Sequence, residues 1–208
     1  MDQKLVVSPS PHIHKDISTK KLMWTVIYAM LPLWAMAIYY FGLGAVYVTL
    51  LAVFSCMFFE WIITKYLLKR ESDLMDGSAI ITGMLLAFNL PANLPIHIIH
   101  IGSFVAMCIG KLSFGGLGQN PFNPALVGRV FLLISFPVSM TSWPIPKALN
   151  FIPDGVTGAT PLGIIKDGLR SGESISSLSD QLPSTMDLLI GNMGGSIGEM
   201  SALLIFLA

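Results

Sequence analysis

The sequence predicts an all-α, polytopic integral membrane protein. Of its 208 residues, 53% are hydrophobic and only 12% are charged, where an ordinary soluble domain is roughly 25% charged. Mean hydropathy is +0.71. The apolar residues also gather in runs long enough to cross a bilayer, parted by Gly and Pro breaks and by short basic segments. A soluble chain of this composition would lack the polar surface that keeps it dispersed. Twelve basic and twelve acidic residues cancel, so no bulk charge draws the chain to nucleic acid.

The elements follow in order. Residues 1–21 are polar and contain Pro; they lack the basic start and short apolar core of a cleavable signal and read as a cytoplasmic segment. Residues 22–138 read as a membrane domain of about five helical segments. Leu22 to Phe41 is twenty residues without a formal charge, enough for a hydrocarbon core of about 30 Å at about 1.5 Å per residue. Gly42-Leu43-Gly44 is a tight break. Gly44 to Thr64 is a second span, with Glu60 near its end and Lys65, Lys69 and Arg70 closing it.

Gly77 to Gly110 contains no Asp, Glu, Lys or Arg. The Asn89-Leu90-Pro91-Ala92-Asn93-Leu94-Pro95 stretch divides it into two helices, 77–90 and 95–111. The first is short for a crossing, and short Pro-interrupted apolar segments line binding sites in transporters. The re-entrant loop 112–124 holds Gly115-Gly116-Leu117-Gly118-Gln119-Asn120-Pro121-Phe122-Asn123-Pro124. Irregular backbone at membrane depth must be buried in protein or line a cavity. Asn123-Pro124 reads as an N-cap followed by the first helical residue, opening a helix from Ala125 to about Val138.

Residues 139–186 are rich in Ser, Gly and Pro, have no spanning segment and read as an extramembrane loop. An apolar run resumes at 187–208. Ala202 to Ala208 is too short to span, so the sequence is expected to be a piece of a longer protein whose second membrane half starts here.

Orientation follows from the basic residues. With a cytoplasmic N-terminus, the inner segments 1–21, 65–76 and 111–123 hold Lys4, Lys15, Lys20, Lys21, Lys65, Lys69, Arg70 and Lys111, eight of the twelve. The outer turns 42–44 and 90–95 hold none. The positive-inside rule thus puts 139–186 outside the cytoplasm.

Ionisable groups inside apolar runs are costly and commonly functional. Glu60 reads as interfacial, near its helix end. Asp76 reads as a cap at a helix start. Arg129 is expected to pair with a neighbouring subunit or a backbone carbonyl. His97 and His100 read as residues of the outer interface. His12 and His14 lack further ligands nearby and read as part of an ordinary segment. Trp24, Trp34, Tyr39, Tyr40 and Trp61 suit interface anchoring and helix packing. Cys56 and Cys108, without CxxC spacing, read as small buried hydrophobes.

Two motifs carry chemistry. Asp154-Gly155-Val156-Thr157-Gly158-Ala159-Thr160 reads locally as a turn with exposed hydroxyls. It resembles the acceptor motif for covalent FMN attachment by flavin transferases, in which the last Thr, here Thr160, forms a phosphoester with the FMN phosphate. Asp154, Thr157, Gly158 and Ala159 are the other motif positions. The stretch from Gly115 to Arg129 resembles the signature of the NqrB/RnfD family, which joins a membrane subunit of Rnf electron-transport complexes to its relative in sodium-pumping NADH:quinone oxidoreductases. Further matching pieces are Ser8 to His14, Asp76 to Gly83, Asn89 to Pro91 and Gly191 to Glu199. The resemblance runs from residue 7 to the end, and the Ser-Pro-His start favours the Rnf branch.

The resemblance implies a specific protein. It would be a subunit of a redox-driven ion translocase in the bacterial inner membrane, coupling electron transfer between ferredoxin and NAD to Na+ or H+ transport. Its fold would be the first half of a urea-channel-like inverted repeat with an extracytoplasmic flavin loop. Thr160 would be a tether and no side chain an acid or base catalyst; the flavin does the redox chemistry. A non-covalent riboflavin is implied in some members, with Asn120 and Asn123 as candidate donors that also suit helix capping. Implied partners are the other Rnf subunits, membrane lipid and a flavin transferase. No metal site is read. The rival reading is a channel-like transporter of a small polar solute.

Overall fold

The computed structural model describes residues 18–70, 74–146, 157–172, 177–178, 182–199 and 201–207. Asp154 and the Ser8–His14 piece lie outside the described residues, as does all but the end of the N-terminal segment. The chain is mostly helical. Helix α1 is Thr19–Phe41, opened by Ser18, whose hydroxyl accepts from Lys21 N at 3.2 Å. Helix α2 is Leu43–Ile62 and runs on through a wide π-helical turn, Ile63–Leu67. Helix α3 is Ser78–Phe88. Helix α4 is Ile96–Val105; it continues through a π-helical segment, Ala106–Lys111, and a 3-10 turn, Leu112–Phe114. Helix α5 is Pro124–Ser135 and helix α6 is Pro137–Met140. Among the described residues, three helices are long and apolar enough to cross a membrane: Thr19–Phe41, Leu43–Leu67 and Ile96–Phe114.

Small residues set the packing. The face of α2 toward the bundle is Gly44, Ala45, Val48, Thr49, Ala52, Ser55 and Cys56, all buried. Small side chains let helix backbones approach closely in a membrane, where apolar burial alone gives no drive to associate. The α2–α3 contact is the most extensive among the described residues. At its centre a Cβ on Gly83 would lie 2.6 Å from Val53 Cα. Helix α5 packs on α4 the same way: a Cβ on Gly128 would lie 2.8 Å from the Gly102 carbonyl oxygen, and one on Gly110 would lie 2.9 Å from Pro124 Cα. Leu86, Leu90, Ile99, Met107 and Leu132 fill the space between these helices. The opposite faces present Tyr47, Leu50, Phe54 and Phe58 on α2, and Val130 and Ile134 on α5, all exposed.

The breaks fall close to the expected places. Helix α3 has 11 residues, about 16 Å at the α-helical rise, roughly half of a hydrocarbon core. The irregular loop is shorter than 112–124, because the α4 segment stays helical through Phe114 and only Gly115 to Asn123 leaves it. Gly115, Gly116 and Gly118 all adopt positive φ there, which is why the loop is built on glycine. Helix α5 stops at Ser135, three residues short of the expected end, because Pro137 cannot continue its hydrogen bonding.

The segment after residue 139 holds structure that its composition did not announce. Strand β1, Trp143–Pro144, pairs antiparallel with β2, Thr157–Gly158, with Trp143 opposite Gly158 and Pro144 opposite Thr157. Helix α7, Pro161–Arg170, follows directly. Short helices at Thr185–Ile190 and Ala202–Leu207 flank a 3-10 turn, Ile197–Glu199.

Candidate functional site

Two sites stand out. The first lies where the starts of α3 and α5 meet the end of the α4 segment. Lys111, at the end of the π-helical segment, is only 2% exposed. Its ammonium donates to Glu60 Oε1 at 2.5 Å and to Ser78 Oγ at 2.6 Å. Ser78 Oγ in turn donates to Asp76 Oδ1 at 2.7 Å, which also accepts from Ser78 N at 2.7 Å. This caps the start of α3, as expected of Asp76. Glu60, near the end of α2, is 9% exposed and faces the inside of the bundle. An unpaired carboxylate is too costly there, and Lys111 supplies the counter-charge.

Asn123 caps α5, its Oδ1 accepting from Ala125 N at 3.0 Å with Pro124 at the first helical position. Asn120 is not a cap. With its amide turned to donate, its Nδ2 reaches the carbonyls of Lys111 at 3.0 Å and Gly116 at 2.8 Å, tying the loop to the end of the α4 segment. These residues surround a cavity of about 450 Å³ lined by Ser78, Thr82, Lys111, Asn120 and Asn123, with Ile81, Leu85, Leu117 and Phe122 as its apolar walls.

Arg129 has a partner within the chain, a side-chain amide rather than a backbone carbonyl: Nη1 donates to Asn89 Oδ1 at 2.8 Å, while Asn89 Nδ2 donates to the Leu85 carbonyl at 2.8 Å. The cation thereby sits at the C-terminal end of α3, where the helix dipole is negative. His97 is exposed, and His100 Nδ1 lies 2.9 Å from the Ile96 carbonyl oxygen in its own helix. Cys56 and Cys108 are free thiols.

The second site is around Thr160. Its side chain is the N-cap of α7, Oγ1 accepting from Gly163 N at 3.1 Å, with Pro161 at the first helical position. Thr160 lines a cleft of about 380 Å³ with Trp143, Pro161, Leu162, Leu188, Met193, Gly194 and Glu199. Thr157 and Gly158 hold the approach through the strand pair, and a Cβ on Gly158 would lie 2.9 Å from Ile145 Cγ1. The Gly191–Glu199 piece closes the far wall: a Cβ on Gly194 would lie 3.6 Å from the Ala159 carbonyl oxygen. The same piece reaches the α3 break, where Ile197 N donates to the Leu90 carbonyl at 3.2 Å. The sequence named Thr160 but not Trp143, Met193 or Glu199 as its neighbours. Their convergence depends on long-range folding that no local pattern records.

Comparison with known proteins matches residues 6–208 to the family described as "NQR2, RnfD, RnfE family". The D subunit of the Na(+)-translocating ferredoxin:NAD(+) oxidoreductase complex of Acetobacterium woodii is 48% identical over 96% of this chain and 59% of its own length. The D subunit of the proton-translocating ferredoxin:NAD(+) oxidoreductase complex of Clostridium ljungdahlii is 39% identical over 97% of this chain and 60% of its own length. The D subunit of the ion-translocating oxidoreductase complex of Stutzerimonas stutzeri is 39% identical over 91% of this chain and 59% of its own length. The chain therefore spans about three fifths of the relatives it matches. With its glycine-built loop, its broken α3 and a match across nearly its whole length, the chain belongs to the NQR2, RnfD, RnfE family.

Proposed function

We propose that this chain serves as a membrane subunit of an Rnf-type ion-translocating ferredoxin:NAD oxidoreductase, relaying electrons through FMN carried covalently on Thr160 and coupling their flow to Na+ or H+ transport. The observation that carries this is the setting of Thr160. Its hydroxyl stands at the N-terminus of α7, a ten-residue helix, beside the 380 Å³ cleft. A phosphate esterified there would lie where backbone N–H groups and the helix dipole favour negative charge. Gly163 leaves the hydroxyl uncrowded where a Cβ would lie 3.2 Å from Thr160 Oγ1, and Trp143, Leu162 and Met193 offer apolar surface to a ring. When bound, FMN supplies the redox chemistry; Thr160 tethers it and the cleft orients it. Asp154 belongs to the same acceptor motif.

The reading brings its context. A flavin transferase matures the subunit, the other Rnf subunits pass electrons to and from it, and lipid covers the exposed apolar faces of α2 and α5. The complex sits in the bacterial inner membrane, with the N-terminus cytoplasmic and 139–186 outside. The names of the relatives cover both Na+ and H+. The cavity beside Asn120 and Asn123 is wide enough and mixed enough in polarity for a second, non-covalent flavin, riboflavin.

The test is in-gel flavin fluorescence of the denatured full-length protein, co-expressed with a flavin transferase, beside its Thr160→Ala variant. A fluorescent wild-type band and a dark variant band are expected. A dark wild-type band, with the transferase active on a control substrate, would overturn the relay reading and leave the channel-like transporter, whose solute site would be the cavity beside the glycine-built loop.

A further inference from the structure

Lys111 has more donors than its partners use. An ammonium carries three N–H groups. Two go to Glu60 and Ser78. Lys111 is almost fully buried, yet it lines the 450 Å³ cavity, while Glu60 is not among the lining residues. The pair is neutral as a whole, and of its two members Lys111 is the one among the residues that line the cavity. Asn120 stands on the Lys111 backbone, its amide nitrogen engaged by two carbonyls, leaving Oδ1 as an acceptor. One end of the cavity thus offers a charged donor and a neutral acceptor, and the rest of its wall is largely apolar. That pattern complements a planar heteroaromatic ring whose polar edge alternates carbonyl oxygen and imide N–H, such as the pyrimidine edge of an isoalloxazine.

We propose that Lys111 is the recognition and charge-balancing residue for a flavin held non-covalently in this cavity. The inference rests on the riboflavin reading given above. The third N–H of Lys111 donates to an acceptor on the polar edge of the ring. Two electrons entering with one proton leave one net negative charge on that ring, the electrons coming from the complex's donor and the proton from water. A cation across a water-poor contact favours the charged, reduced form over the neutral, oxidised one. The Glu60 pair holds the ammonium in place and keeps the site neutral when it is empty.

The experiment uses the purified full-length complex in lipid nanodiscs. Acid-released riboflavin gives occupancy, riboflavin titration gives affinity, and dithionite titration followed by absorbance gives the midpoint potential. Covalent FMN at Thr160, read by in-gel fluorescence, serves as the internal control. In Lys111→Met with Glu60→Gln, riboflavin affinity is expected to fall roughly ten- to hundred-fold, the range of one charge-assisted hydrogen bond. In Lys111→Gln with Glu60→Gln, which keeps a donor without charge, affinity is expected to be partly restored while the potential stays lowered. Glu60→Gln alone leaves the ammonium without its counter-charge, so the potential is expected to rise. Wild-type affinity and potential in both double variants would overturn the role of Lys111, as would an unchanged potential in Glu60→Gln. Wild-type complex with full covalent FMN but no riboflavin would instead overturn the cavity reading on which the inference rests.

Discussion

At the scale of single residues, the Glu60–Lys111 pair decides whether this bundle tolerates charge at all. Taking two ions out of water costs several kcal/mol each, and their mutual attraction with the Ser78 bond offsets that cost only while both partners stand. Lys111→Met should therefore destabilise the protein by roughly 3–5 kcal/mol, because Glu60 remains buried without its counter-charge. The double variant with Glu60→Gln should lose markedly less. A double-mutant cycle on the detergent unfolding transition measures this, and additive single effects would show that the two charges do not interact. Little of this was legible in the sequence. The partners are 51 positions apart, and a lone Glu near a helix end looks interfacial. By contrast, Asn123-Pro124 and Asp76 announced their capping roles, because a cap is a local bond between near neighbours in the chain.

At the scale of elements, close approach of helices is the organising fact. The α2–α3 crossing is set where Gly83 lies on the Val53 backbone, and a backbone cannot swing aside as a side-chain tip can. Gly83→Ala should cost about 1–3 kcal/mol, the usual range for overpacking. Gly116→Ala meets nothing within 4 Å, so only its positive φ opposes the change, at about 1 kcal/mol. Thermal unfolding of the two variants in one detergent gives the order, and the reverse order would contradict the packing account. The sequence revealed the helices and their breaks well, because apolar runs and Asn/Pro interruptions are strong local signals. It did not reveal the strand pair of 143–144 with 157–158 or helix α7, whose short, polar surroundings resemble ordinary loop. Nor did it show that α4 carries on through a π-helical segment to Phe114, which is what brings Lys111 into the bundle.

At the scale of the whole molecule, the Thr160 cleft and the Lys111 cavity belong to different ends of the bundle. Thr160 follows the end of α5, whereas Lys111 lies near the end of the α4 segment, and α5 runs back along α4 from Gly110 toward Gly102. The charge pattern predicts that the end richer in basic residues meets the cytoplasm. Lys65, Lys69, Arg70 and Lys111 share the end that holds the α2 and α4 termini, and Lys65 lies over the Trp61 ring at 5.1 Å, an arrangement that suits a membrane interface. The proposed flavin attachment outside the cytoplasm requires the opposite end, with Thr160, to face outward. This is open to direct measurement. In a background with Cys56 and Cys108 replaced by Ser, a cysteine at exposed Ser171 should react with a membrane-impermeant maleimide on intact spheroplasts. A cysteine at exposed Lys69 should react only after permeabilisation. The converse pattern would invert the protein. It would leave Thr160 in the cytoplasm and remove the topological support for flavin attachment outside it, whatever the in-gel fluorescence reports.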